Sequence, residues 1–244
     1  SGTGNYILPV YASDGTDKIN ALLYCMDSND YTADAEKYGN YAWIDWGQIA
    51  WYREQSRQYT TKNNGNPLPA LAFFHIGVPE FKHLQNRPDM YGHLGEGGGF
   101  PKINSGMFQS MIEMGDVMGV FVGHDHDNDY IAQEYGIALG YGRVSGHDAY
   151  GDLERGARII ELFEDGRQFD TWIATPSGKS LAYYYPSAIT SDDEAVAPLP
   201  ALSVSPTQQG VSYIYYEGKF KHTDHFQTRG EKKGEGVMKN FSIA

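Results

Sequence analysis

Two short apolar runs, Ala70-Leu71-Ala72-Phe73-Phe74-His75-Ile76 and Val117-Met118-Gly119-Val120-Phe121-Val122, constrain the fold more than any other feature. Each is bounded by turn signals, and a continuous apolar run of this length predicts a strand buried on both faces. Histidine stands at the end of both. His75 sits near the end of the first, and Gly123-His124-Asp125-His126-Asp127-Asn128-Asp129 follows the second. Between them, Ser105 reads as the N-cap of a short helix. Met107, Phe108, Met111 and Ile112 give that helix an apolar face, and Gly115 closes it. Strand, helix, strand and polar loop is the order of an α/β sheet, which places ligands at the carboxyl ends of its strands.

The flanking sequence fits this frame. Residues 6–12 and 19–26 read as a hairpin around Ser13-Asp14-Gly15-Thr16. From Gly47 to about Thr61, Ile49, Tyr52, Ser56 and Tyr59 recur at helical spacing, and Asn63-Asn64-Gly65-Asn66-Pro67 ends the helix. A long loop through Gly95-Glu96-Gly97-Gly98-Gly99 exceeds a mere connector, and loops of that length are often functional. Further strands are predicted near 130–141, 157–163 and 168–174. Residues 1–185 make one domain, residues 186–210 a proline-containing linker or extended crossing, and residues 211–244 a β-rich tail. The fold class is α/β (α+β).

The chemistry centres on histidine. Gly123 permits a backbone turn that a side chain would block. Neutral imidazole is the commonest protein metal ligand, and neighbouring strands would bring His75 to the His124/His126 pair. Three histidines can form a catalytic zinc site; the alternative is that they are hydrogen-bonded loop residues. Asp125, Asp127 and Asp129 are placed to orient the imidazoles as acceptors. Cys25, the single cysteine, can form neither an internal disulfide nor a cysteine-based zinc site.

Ala72-Phe73-Phe74-His75-Ile76-Gly77-Val78-Pro79-Glu80-Phe81 resembles the fourth motif of calcineurin-like metallophosphoesterases. Gly123 to Asp129 resembles their fifth, Gly-His-x-His, most closely in the purple-acid-phosphatase-like branch. Tyr141-Gly142-Arg143, Arg155-Gly156-Ala157-Arg158, Gly4-Asn5-Tyr6 and Leu23 to Ser28 are similar to that branch as well, so that the likeness covers roughly residues 4–163. It implies half of a β-sandwich flanked by helices, and a two-metal hydrolase of phosphate esters in which a metal-bound water supplies hydroxide near neutral pH. His75 and His124 would ligate one ion (iron, zinc or manganese) and His126 the other. Asp125 and Asn128 would support them or fix the loop. Arg143 would bind phosphate or form a structural salt bridge, and His147 would contact substrate or lie on the surface.

The first three motifs of that family have no counterpart here. The expectation is therefore the C-terminal half of the domain, lacking its N-terminal half as partner, with no catalytic residue of its own, at most one weakly held metal ion, and apolar surface that promotes self-association. The alternative is a non-catalytic binding or scaffold module. Gly210-Val211-Ser212-Tyr213-Ile214-Tyr215-Tyr216-Glu217-Gly218-Lys219-Phe220 resembles the opening of protective-antigen-like sandwiches, which favours an extracytoplasmic location; the competing reading is an edge hairpin on the phosphoesterase sheet.

Acidic side chains outnumber basic ones 31 to 19, for a net charge of -12. That balance excludes nucleic acid as the main partner. No apolar run approaches the ~18 residues that span a bilayer.

Overall fold

The computed structural model describes residues 4–164, 166–194, 211–217 and 231–238. One compact unit runs over Ser1–Ala195 and a second over Val196–Ala244. In the first, β1 (Tyr6–Tyr11) and β2 (Ile19–Cys25) form the predicted antiparallel hairpin. A single-turn α1 (Ala35–Tyr38) precedes α2 (Trp46–Lys62), which starts at a capping box: Asp45 accepts from the Gln48 N–H, and the Gln48 side chain accepts from the Asp45 N–H. The predicted stripe is the one that faces inward, with Ile49, Tyr52 and Ser56 buried.

Next come β3 (Ala70–Phe73), the short α3 (Phe81–Leu84), α4 (Met107–Met114) and β4 (Val117–Val122). Ser105 is not the N-cap of α4. Gly106 takes that place in the left-handed conformation, and Asn104 accepts its N–H at 3.0 Å. Gly115 closes the helix, also left-handed, as glycine at this position allows. Residues 130–141 contain two strands rather than one. These are β5 (Ile131–Glu134) and β6 (Ile137–Tyr141), joined at Tyr135-Gly136, where both residues have positive φ. Two such residues in a row make the tight hairpin turn that matches strand twist.

A second sheet holds β7 (Ala157–Leu162), β8 (Phe169–Thr175), β9 (Gly178–Tyr185) and β10 (Ile189–Thr190). The one-turn α5 (Ser191–Glu194) follows. Residues 189–194 of the expected linker are thus a strand that pairs with β9 and a helical turn; residues 195–210 lie outside the described residues. In the second unit, β11 (Val211–Glu217) pairs antiparallel with β12 (Glu231–Met238), and the rest of the tail lies outside the described residues. Among the described residues no helix is long and apolar enough to cross a membrane.

The first sheet has the order β1-β2-β3-β4-β6-β5. Its four inner strands run parallel, and only the two edges are antiparallel. The two faces of β4, offset by an irregularity in its pairing at Ala70/Leu71, show the layering. Val117, Val120 and Val122 join a core with Tyr24, Tyr52, Met107 and Met111 beneath the helices. Met118 and Phe121 join another with Phe169 and Tyr183 of the second sheet. The architecture is helices, a mixed sheet, then an antiparallel sheet, in agreement with the expected α/β sandwich flanked by helices.

Two polar anchors hold the layers. Asp116, buried just before β4, accepts from the Tyr24 hydroxyl at 2.8 Å and the Tyr52 hydroxyl at 2.5 Å. Burial first, and then the Asp116 charge, raises both phenols far above their ordinary value, so they stay protonated donors. Glu164 ties the β1–β2 turn to the second sheet, accepting from the Ser13 N–H, the Ser13 hydroxyl and Asn20 Nδ2. The Ser13 hydroxyl and then its N–H hold Glu164 below its ordinary value of 4.5.

These anchors give two expected outcomes. Asp116→Ala strands two buried hydroxyls and should cost roughly 2–5 kcal/mol in urea unfolding, whereas Tyr52→Phe should cost about 1. A loss below 1 kcal/mol for Asp116→Ala would contradict the anchor. The Glu164 contribution is present above pH 4.5 and disappears as pH falls through the lowered folded-state value. The midpoint difference between wild type and Glu164→Gln should therefore close on acidification; a constant difference would show that Glu164 has no part in it.

Candidate functional site

The parallel register builds the site. Phe73 of β3 pairs with Phe121 of β4. Just past that point the Gly123 N–H donates to the His75 carbonyl at 3.0 Å, and the Gly142 N–H after β6 donates to the Val122 carbonyl. Three adjacent strands thus end together, and His75, His124 and Arg143 emerge at one carboxyl edge.

His75 and His124 meet there, with His75 Nε2 at 3.2 Å from His124 Nδ1 and their rings edge to face. Burial, followed by the neighbouring His124 and His126, holds His75 below the ordinary imidazole value. Gly123 is not the special turn residue. His124 itself has φ 74°, in the left-handed region, while a Cβ on Gly123 would meet only ordinary contacts, at 3.5 Å. Histidine visits that region more readily than most side chains, and held there it marks a site where the surroundings over-determine the backbone.

The glycine-rich loop supplies part of those surroundings. A Cβ on Gly99 would lie 2.5 Å from His124 Cδ2 and 2.6 Å from Nε2, so only glycine lets this backbone press on the imidazole. On another side the Tyr41 ring packs edge-on to His124 at 4.7 Å and stacks with Tyr31. A cavity of about 490 Å³ opens here, lined by Asp27, Tyr31, Tyr41, His75 and His124 among others. Neither tyrosine was found by sequence reasoning. Residues 27–46 carry no periodic signal, and their place comes from an isolated Tyr31–Tyr41 bridge.

His126 occupies a neighbouring environment. Its ring stacks on Tyr150 with centroids 4.0 Å apart and 24° between planes, and its Nδ1 lies 3.1 Å from the Tyr150 carbonyl. The Tyr150 hydroxyl donates to Glu96 Oε2 at 2.8 Å, and burial with this bond pushes its pKa up to about 12. Tyr150 was also missed. The signal was the turn beginning at Gly146, where the expectation fell on His147; that histidine is exposed and makes no bond or ring contact with the other three among the described residues.

The motif carboxylates do not orient the imidazoles. Asp125 accepts from the Gly99 N–H and from the Tyr141 hydroxyl at 2.6 Å. Asp127 accepts from the backbone of Asp152 and Leu153. Asn128, fully buried, accepts from the Gly95 and Glu96 N–H groups and donates to the Glu96 carbonyl. Asp129 pairs with Arg143 and accepts from the His93 N–H. Arg143 also donates to the Glu154 carbonyl, so its salt bridge is realised. Half-buried Arg158 donates to the Tyr141 and Asp129 carbonyls. Burial pulls its pKa down to about 10, which leaves it charged at neutral pH.

Two nitrogens bound to one zinc ion stand roughly 3.3 Å apart, which the 3.2 Å between His75 and His124 matches. The fit ends with that pair. Among the described residues no three His, Cys, Asp or Glu side chains gather as a metal group, and the predicted triad resolves into a pair plus a separately held His126. The donors found here do not by themselves make a two-ion centre.

No family model matches the chain. Among known proteins, it is 35% identical over 190 residues to the probable inactive purple acid phosphatase 29 of Arabidopsis thaliana, covering 73% of this chain and 49% of that protein. The probable inactive purple acid phosphatase 28 of the same plant is 37% identical over 177 residues, 70% of this chain and 44% of that protein. Phosphatase DCR2 of Saccharomyces cerevisiae is 30% identical over 190 residues, 70% of this chain and 31% of that protein. The chain thus spans at most about half the length of these relatives. With relatives at 30–37% identity over about 70% of its length, and with the fold and the histidine-bearing strand ends described above, the chain belongs to the purple acid phosphatase-like (calcineurin-like phosphoesterase) family.

Proposed function

We propose that the chain forms part of the centre of a metal-dependent phosphoric ester hydrolase, with His75 and His124 as two nitrogen ligands of one cation. The 3.2 Å approach of two ring nitrogens at the carboxyl edge of a parallel sheet carries this reading. Two imidazole nitrogens that close either share a proton or face a common cation. The depressed basicity of His75 favours the unprotonated state that ligation needs. When bound, such a cation neutralises phosphate charge and makes hydroxide available from water.

The chain's own residues set the conditions. Gly99 and Tyr41 fix the His124 ring from two sides. The cavity beside Tyr31 and Tyr41 offers aromatic faces to the alcohol portion of an ester. The ties of Arg143 to Asp129 and to the Glu154 carbonyl favour a loop-shaping role for it over that of phosphate anchor. The remaining ligands of a two-ion centre and its bridging carboxylate are not among the donors gathered here, and activity belongs to a longer chain that adds them.

A second reading, a binding module that keeps the fold without turnover, is favoured by one observation: both Arabidopsis relatives described above carry the word inactive in their names.

Metal analysis and phosphatase assays on this chain, and on one extended at its N-terminus, separate the two. Under the hydrolase reading the present chain binds zinc weakly, the extended chain hydrolyses an aryl phosphate, and His124→Ala lowers metal affinity in both by at least about 100-fold, the upper end of what outer-shell losses cost. Zinc affinity unchanged by His124→Ala would sink the ligand assignment. An extended chain that binds metal without turnover would support the binding module.

A further inference from the structure

We propose that Tyr150 and Glu96 are positioning residues for His126, fixing its tautomer and ring plane so that Nε2 carries the free lone pair. The argument begins with a backbone carbonyl, which can only accept a hydrogen bond. His126 Nδ1 lies 3.1 Å from the Tyr150 carbonyl, so Nδ1 bears the proton. In a neutral imidazole the other nitrogen is then the basic one.

The same residue sets the plane. The Tyr150 ring lies nearly parallel to the imidazole, 4.0 Å away, and so limits rotation about the Cβ–Cγ bond. Tyr150 is 57% exposed, and burial alone does not hold it. Glu96 does so through the Tyr150 hydroxyl at 2.8 Å. Its other carboxylate oxygen accepts from the Asp127 N–H at 2.8 Å, next to His126 in the chain. Glu96 therefore bridges both neighbours of the imidazole. Asn128 in turn fixes Glu96 by its backbone, with the Glu96 N–H donating to Asn128 Oδ1 and the Glu96 carbonyl accepting from Asn128 Nδ2. The loop that carries three glycines after Glu96 and the loop that ends in Tyr150 thus converge on one ring.

The role does not require that the chain turn over substrate. It rests on the function proposed above only for the use of Nε2, for which a divalent transition cation such as zinc is the fitting ligand class. His126 lines a cavity of about 240 Å³ with Arg143, Ser145 and Ala149, so a small ion has access from that side.

Long-range ¹H–¹⁵N correlation of the imidazoles in the ¹⁵N-labelled chain tests this directly, since it reads which nitrogen holds the proton. Wild type is expected to show His126 as the Nδ1–H tautomer. Tyr150→Ala keeps the backbone carbonyl but removes the stacked ring and the bond to Glu96 that hold it against His126, and should raise the Nε2–H population about five-fold, the equivalent of losing one net hydrogen bond, while Tyr150→Phe, which keeps the ring and loses only the bond to Glu96, should give a smaller rise. An Nε2–H tautomer in wild type would overturn the inference whether or not the alanine variant folds. So would a folded Tyr150→Ala with unchanged populations. Zinc sulfate added to wild type provides a separate reading. A shift confined to Nε2 supports both proposals. An Nδ1–H tautomer that zinc leaves unmoved supports the positioning role and counts against metal ligation by His126.

Discussion

Parallel pairing of β3 with β4 is the constraint from which the site follows. Side chains alternate across a strand, so a slip of one residue would exchange the faces of Val120 and Phe121, sending one core's side chains into the other. Both faces are filled with buried side chains, so that slip is strongly opposed, and the strand ends are fixed as a consequence. His75 and His124 meet because Phe73 and Phe121 cannot move relative to each other. The geometry of the histidine pair is inherited from packing that lies well below it.

Polar chemistry around the strand ends serves the loops more than the imidazoles. Asp125, Asn128 and Asp129 are all buried, and each is matched to backbone N–H groups or to arginine. Buried groups of this kind are tolerable only when fully partnered. Their partners sit in the 91–99 loop and on β6 or just after it, so one heptapeptide after β4 holds several otherwise irregular segments. The histidines are left to packing, to a backbone carbonyl and to each other.

Much of this was legible in the sequence, for identifiable reasons. Apolar runs gave away β3 and β4, the Ile49-Tyr52-Ser56 spacing gave away α2, and the histidine endings of the two strands marked the carboxyl edge where His75 and His124 meet. The hairpin at Tyr135-Gly136 was merged into one strand because an apolar run does not show where it folds back. The N-cap of α4 was misplaced by one residue, since serine is the better cap by propensity but Asn104 satisfies the Gly106 N–H. The roles of Tyr41 and Tyr150 were beyond reach, and so was the contact of Gly99, whose loop the sequence does mark. Each acts through a contact between segments distant in sequence, and no local pattern encodes which tyrosine will stack on which ring. For the same reason the three histidines were grouped by strand position, while the turn after His124 in fact carries His126 to a different neighbour.

The approach of Gly99 to His124 has an implication for adaptation. Loop backbone and imidazole share one van der Waals surface, so neither can be displaced without the other. A substrate that needed this loop to open would loosen the very ring that the edge of the sheet holds in place. Diversification among proteins built this way is therefore steered away from the glycine run, toward the aromatic segment around Tyr31 where shape can vary at little structural cost.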